Sequence, residues 1–385
     1  MRKFLLLLLL AASVLTAQAA EKVSVEQLDQ ALAAAKGTQD SDLAKQLAGL
    51  ELTERVSSAR LSQWEAGLPG SQSRQALVAV ADAAAFKQPP SAEILSTPAP
   101  DLDAQRRIMS LAADYVGKTI PKLPNFFATR DTVRYQDRPA GFDADGIYEA
   151  GAEPLHAVLG NSSVTVLYRN GQEVVDAGDE TKARKPYRKQ NQMDRGLSAW
   201  GIFGPILGTV LVDAAQSDLS WSRWEQGAAG PAAVFRYAVP KEKSNYEVKW
   251  CCFQTGKEPQ LFQHIFGYHG EMTIDPSTGT ILRLTLMADF NKSPMMDLGL
   301  ELPIWEADIM VEYAPVEIGG KTYICPAKSV SVSNALTVAY KQGGALVAPV
   351  GSLKKMLNDV TFKDYHLFRA EARVLAADSA EPENR

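Results

Sequence analysis

Residues that carry chemistry are scarce in this chain. Its 385 residues hold three cysteines and four histidines. No Gly-x-Ser-x-Gly elbow, phosphate loop, dinucleotide fingerprint, calcium loop or His-Glu-x-x-His helix occurs, so the enzyme classes that announce themselves by such spacings find no support. Basic residues are outnumbered, 40 Lys and Arg against 45 Asp and Glu. A mildly acidic surface repels phosphate backbones and anionic lipid heads, so no nucleic-acid partner is expected. Beyond residue 17 the most apolar run, residues 200–212, is shorter than the ~20 residues that cross a bilayer, so the mature chain is expected to lack a transmembrane segment.

What is present begins with an export signal. Arg2 and Lys3 form a positive start, residues 4–17 are apolar apart from Ser13 and Thr16, and Ala17-Gln18-Ala19 supplies the small residues of a cleavage site. Cleavage after Ala19 predicts a periplasmic or secreted protein of about 365 residues, and losing Arg2 and Lys3 takes the formal charge from -5 to -7. A chain of that length predicts two folding units. Export usually means an oxidising compartment, where three cysteines allow one disulfide and one spare thiol. Tyr246, Val248, Trp250 and Cys252 alternate onto one face of a strand, as do Tyr323 and Cys325, which makes Cys252–Cys325 the expected pair. The sequence does not settle the connectivity.

The first third reads as helices. Ser24 caps a helix carrying Leu28, Leu32 and Ala35 that ends at Gly37. Further helices are predicted over residues 41–50, 52–66 and from Ser71, the last with Ala76, Leu77, Val80 and Ala84 at helical spacing. Residues 88–102 are proline-rich and extended, a linker or a strap across the surface. A fifth helix over residues 103–117, with Ile108, Leu111, Ala112 and Tyr115 as its buried stripe, opens the second unit. The organisation read this way is a signal peptide (1–19), a helical region (20–87), the linker, a sheet domain (103–375) and a disordered tail (376–385).

From Asn125 the period becomes that of strands. Val164, Val166 and Tyr168 lead into Asn170-Gly171, the strongest short hairpin signal. The clearest hairpin spans residues 266–284, where two alternating runs flank Asp275-Pro276-Ser277-Thr278-Gly279. Strands are predicted near residues 218–225, 232–239, 245–253, 305–313, 321–332 and 358–371, the last as an edge or bulged strand. The fold class is α+β: helical hairpins followed by a large, curved antiparallel sheet with packed helices. Between the strands, Pro205 opens a helix, with Gly201, Gly204 and Gly208 allowing close packing on the sheet. It is read as a core helix, or as one wall of an apolar pocket lined by Trp200, Phe203, Leu207, Trp221 and Trp224.

Residues 274–284, Ile-Asp-Pro-Ser-Thr-Gly-Thr-Ile-Leu-Arg-Leu, followed by residues 311–326, Val-Glu-Tyr-Ala-Pro-Val-Glu-Ile-Gly-Gly-Lys-Thr-Tyr-Ile-Cys-Pro, resemble the strand succession of periplasmic lipoprotein-carrier-like proteins, the group of the lipoprotein-sorting chaperone and the lipoprotein-sensing sigma-factor regulator. The likeness covers residues 232–332, roughly a quarter of the chain. The resemblance implies a curved antiparallel sheet with helices in its concavity and an apolar pocket for acyl chains. The whole chain also resembles a set of uncharacterised secreted bacterial proteins with a helical first third, a part the carriers lack.

Three functions follow as expectations. The first is a non-catalytic exported protein whose sheet binds an apolar ligand, lipid or acyl chain, or an envelope partner protein. The second is a secreted hydrolase in which His269 is a base oriented by Glu271, two positions along one strand. The third is an envelope-assembly module acting through the N-terminal helices. Cys251 and Cys252 with His264 and His269 offer zinc-ligand types but lack the two-residue gap that lets paired cysteines converge, so neither metal nor cofactor is expected.

Overall fold

The computed structural model describes residues 20–138, 141–142, 148–149, 153–175, 196–255, 258–290, 304–336 and 353–368. The expected signal peptide and the tail from 376 lie outside them. The described helices are α1 (Val25–Ala34), α2 (Asp40–Ala48), α3 (Ser58–Ala66), α4 (Ser71–Ala83), α5 (Leu102–Asp114) and α6 (Pro205–Ala215). The strands are β1 (Glu21–Val23), β2 (Leu50–Leu52), β3 (Ile94–Leu95), β4 (Phe126–Arg138), β5 (Gly141–Phe142), β6 (Tyr148–Glu149), β7 (Glu153–Arg169), β8 (Gln172–Val175), β9 (Gly196–Leu197), β10 (Asp218–Gly227), β11 (Gly230–Val239), β12 (Glu247–Thr255), β13 (Glu258–Ile265), β14 (Tyr268–Ile274), β15 (Ile281–Ala288), β16 (Ile304–Ile318), β17 (Lys321–Leu336) and β18 (Leu353–Leu367).

Eleven strands form one open, curved antiparallel sheet in the order β3-β10-β11-β14-β15-β16-β17-β18-β4-β7-β8. The α+β class is therefore the observed one. Short turns join four of the neighbouring pairs, β7–β8, β10–β11, β14–β15 and β16–β17, and their chemistry matches the residues present. Asn170 and Gly171 take φ of 52° and 79°, the left-handed pair a two-residue hairpin demands. Gly279, at φ 74°, ends the turn after Asp275, whose side chain caps Ser277.

Several expected elements differ. The segment 52–66 is helical only from Ser58, because Leu50–Leu52 pairs in parallel with β1 and ties the chain start to the helical unit. Strand β12 leaves the main sheet and joins β9 and β13 in a separate three-stranded sheet. Strand β18 is not an edge: it pairs with β17 and β4 on either side, with an irregularity after Lys363 where Asp364 reaches φ 52°. The proline-rich segment is a strap, since β3 within it pairs with β10 and becomes the sheet's edge.

Directly opposed residues of an antiparallel ladder share a face, so the register sorts the sheet into two surfaces. The inner surface carries Ala233, Phe235, Met272, Ile274, Leu284, Ile309 and Val311 and is covered by α5, the π-turn Tyr115–Thr119, α6 and the small sheet, in one large apolar core. The end of α6 is pinned there by buried Asp213, which accepts hydrogen bonds from the Tyr268 hydroxyl at 2.9 Å and the Asn245 amide at 2.8 Å. The outer surface lies beneath the helical unit. That unit has its own core of Val25, Leu28, Leu47, Leu52, Trp64 and Leu77, and Ser24 caps α1 in the reciprocal arrangement with Gln27. A third, smaller apolar cluster joins Ala79 and Ala85 to Tyr135, Met310, Val330, Val332 and Leu357 across the seam.

Candidate functional site

The apolar segment after Trp200 folds as its residues require. Pro205 occupies the first turn of α6, where its missing N–H costs nothing. A Cβ at Gly204 would strike the Ile120 side chain, so the helix start can lie against that residue only as glycine. Gly208, by contrast, faces open space and needs no such explanation. Phe203 is 1% exposed, its ring 5.5 Å from Phe126, 5.3 Å from Phe362 and 5.9 Å from Tyr168. Leu207 is equally buried in the same cluster. Both therefore fill the core between α6 and the sheet.

Trp221 and Trp224 lie on the inner surface at its β10 edge, opposite Phe235 and Ala233. Their rings meet edge to face at 4.8 Å, and Trp221 meets Phe235 at 5.4 Å. Both are half-buried, and the Trp224 indole donates to the Pro98 carbonyl of the strap at 3.0 Å. Helix α6 packs against β10 and β11 at this corner, bringing Leu211 and Leu219 into the same apolar layer. Trp200 is elsewhere: its indole donates to the Glu247 carbonyl at 3.0 Å, with the Lys249 ammonium 5.0 Å from its ring. Of the five expected liners, four belong to or flank one cluster and Trp200 does not.

His269 and Glu271 are not partners. His269 is half-exposed, with Nδ1 2.7 Å from Asp289 Oδ1. Glu271 accepts from both Arg223 terminal nitrogens at 2.7 Å, with Gln88 and Arg236 each 3.4 Å away. Burial opposes its ionised form, but the Arg223 hydrogen bonds and charge outweigh it and hold the Glu271 carboxyl down to about 2. That carboxylate is committed to arginine and does not orient the histidine.

The Cys252–Cys325 pairing is corrected: Cys325 is a free, fully buried thiol in the inner core. Burial pushes it up to about 12, which keeps it protonated and unreactive. Iodoacetamide applied to the folded protein is expected to leave the Cys325 peptide unmodified, and to modify it fully in denaturant without reductant. Modification in denaturant only after reduction would contradict this.

The seam beneath the helical unit had no signature in the sequence. Arg283, Glu312 and Lys328 are directly opposed on β15, β16 and β17 and form one transverse row; Met310, Val330 and Asp359 form the next. Read as alternating polar positions they resemble a solvated face, yet the helical unit buries them. Arg55 pairs with Glu225, which Arg223 also bridges, and Ser58 donates to Glu312. Arg283 donates to the Ala85 carbonyl, and burial pulls it down to about 10. Lys328 lies 2.7 Å from Asp82 and 3.4 Å from Asp359. The small cleft between Arg55, Ser58, Asp82, Arg283, Glu312 and Lys328 has room for about one water.

Among the described residues no helix is long and apolar enough to cross a membrane, and no group of three or more His, Cys, Asp or Glu assembles into a metal-binding cluster. No protein-family model, curated protein or solved structure matches the chain.

Proposed function

We propose that this is an exported, non-catalytic binding protein that takes an apolar ligand, a lipid or acyl chain, at the corner between α6 and β10. The observation that carries this reading is the Trp221–Trp224 pair, two large half-buried aromatic rings flanking an apolar core beneath a proline strap. A site of that kind binds by removing hydrocarbon from water, worth about 0.8 kcal/mol per methylene buried, and needs no charged group. The strap and α6 are the elements that would move apart to admit a chain, because the strap is bonded to Trp224 and α6 packs against β10 and β11 at this corner. The resemblance of residues 232–332 to carrier-like sheets agrees with this choice. The hydrolase alternative is weaker, since Glu271 faces Arg223 and Arg236 instead of His269.

Titration with a fluorescent fatty acid is expected to show saturable binding with energy transfer from tryptophan. The double variant Trp221→Ala/Trp224→Ala is expected to weaken it by about tenfold or more, equivalent to ~1.4 kcal/mol. Absence of binding by the wild type, together with no lipid in native mass spectra of protein from its own host, would overturn the proposal. Binding that survives the double substitution would move the site elsewhere.

A further inference from the structure

We propose that residues 20–86 are a releasable cover on the outer face of the sheet, tethered by the strap at the β10 edge and latched by Asp82, Lys328 and Asp359, and that the latch opens as pH rises. Three features of the seam lead to it. The helical unit keeps a complete core of its own, so lifting it does not empty it. On the side of the unit the apolar part of the seam is small, Ala79 and Ala85 with partly buried Ala83 and Phe86, and the remainder is ionic. Interfaces between units that are polar in this way permit relative motion.

The third feature is a charge mismatch. Asp82 is 3% exposed at the end of α4 and faces Lys328 from β17, Asp359 from β18 and Glu312 from β16. Lys328 is thus one cation against two close carboxylates. Asp82 Oδ2 and Asp359 Oδ1 accept no hydrogen bond. Of the two arginines lining the adjoining cleft, Arg283 from β15 donates to the Ala85 carbonyl and pairs with Glu312 at 3.8 Å, and Arg55 pairs with Glu225. Glu65 from α3, with Arg74 beside it, and Tyr135 from β4 complete the surroundings. A buried carboxylate with half a cation is stable there chiefly as the neutral acid.

The sign of the pH dependence follows. Burial, with the field of Asp359 and Glu312, outweighs the pull of Lys328 and pushes Asp82 up to about 8. With the cover lifted, Asp82 meets water and returns to its ordinary 3.8. A group raised in the closed state stabilises closure fully below the open-state value and loses that contribution as pH rises through the closed-state value. The opening constant therefore climbs by up to about tenfold per pH unit across that window and levels above it. Lys328 is also raised, stays charged throughout and does not reverse the trend.

The test uses the full chain with Ala79→Cys, a thiol buried in the seam, while native Cys325 in the inner core reports global unfolding in the same sample. Labelling rates, corrected for thiolate fraction with a short thiol peptide, are expected to rise at position 79 relative to Cys325 until about pH 8 and then level. Asp82→Asn is expected to abolish the rise. Parallel rates at the two thiols, a flat profile at position 79, or an unchanged slope in Asp82→Asn would each overturn the proposal. Should Ala79→Cys lower the melting temperature, Ala85→Cys reads the same seam.

Discussion

Gly270→Ala is expected to lower stability by about 3 kcal/mol or more, overpacking at a site that cannot yield. Gly270 sits in the middle of β14, between the His269–Met287 and Met272–Leu284 pairs. A Cβ there would lie closer than 3.0 Å to the Thr285 carbonyl and 2.7 Å from the Tyr237 hydroxyl. Tyr237, fully buried on neighbouring β11, uses that space to donate to the Thr285 carbonyl. A methyl group would spread β14 from β15 and strand the phenol, whose unmade hydrogen bond alone costs about 1–3 kcal/mol. At ~2 °C per kcal/mol for a chain of this size, circular-dichroism melts should fall by roughly 6 °C. A shift within ~1 °C would show that the ladder relaxes freely. Tyr237→Phe combined with Gly270→Ala should be less than additive, because both remove one contact.

Phe203→Ala is expected to cost about 3–5 kcal/mol, the range for deleting a buried aromatic. Its ring is shared by Phe126 from β4, Tyr168 from β7 and Phe362 from β18, so the cavity opens where three strands and the start of α6 meet. The neighbouring Tyr313 hydroxyl donates to the Ile202 carbonyl at 2.9 Å and resists collapse of the segment into the hole. Phe203→Leu should retain most of the stability. The same variants separate core from binding wall: fatty-acid affinity should persist in Phe203→Leu while it falls in Trp221→Ala/Trp224→Ala. Loss of affinity in Phe203→Leu at unchanged melting temperature would place Phe203 in the site after all.

Much of the architecture was legible because its signals are local. Ser24 with Gln27, Pro205 at a helix start, Asn170-Gly171 and Asp275 through Gly279 each act within a few residues, and each does in the fold what its chemistry suggests. Strand β13 went unread, because an alternating run does not reveal which sheet it joins. The same gap misplaced β12 in the main sheet, and of the two readings of β18 the bulge is observed and the edge is not. Cysteine pairing failed for a related reason: alternation placed Cys252 and Cys325 each on one face of its own strand, but β12 belongs to the small sheet while Cys325 lies in the main one. His269 and Glu271 shared a strand face as expected, yet Asp289, just past β15, and Arg223, two strands away on β10, drew them into separate pairs.

The sequence by itself determined the α+β class, the helical first third, the extended proline-rich segment and the central hairpin, because backbone propensity, capping and turn chemistry are short-range. Only the tertiary structure decided what the outward-facing charges do. Arg283, Glu312, Lys328 and Asp359 alternate along their strands as solvated residues would, and their meaning changes once a second unit covers them. Whether a charge meets water or a buried counter-charge depends on a partner distant in sequence, and the cost of burying it is set by that arrangement.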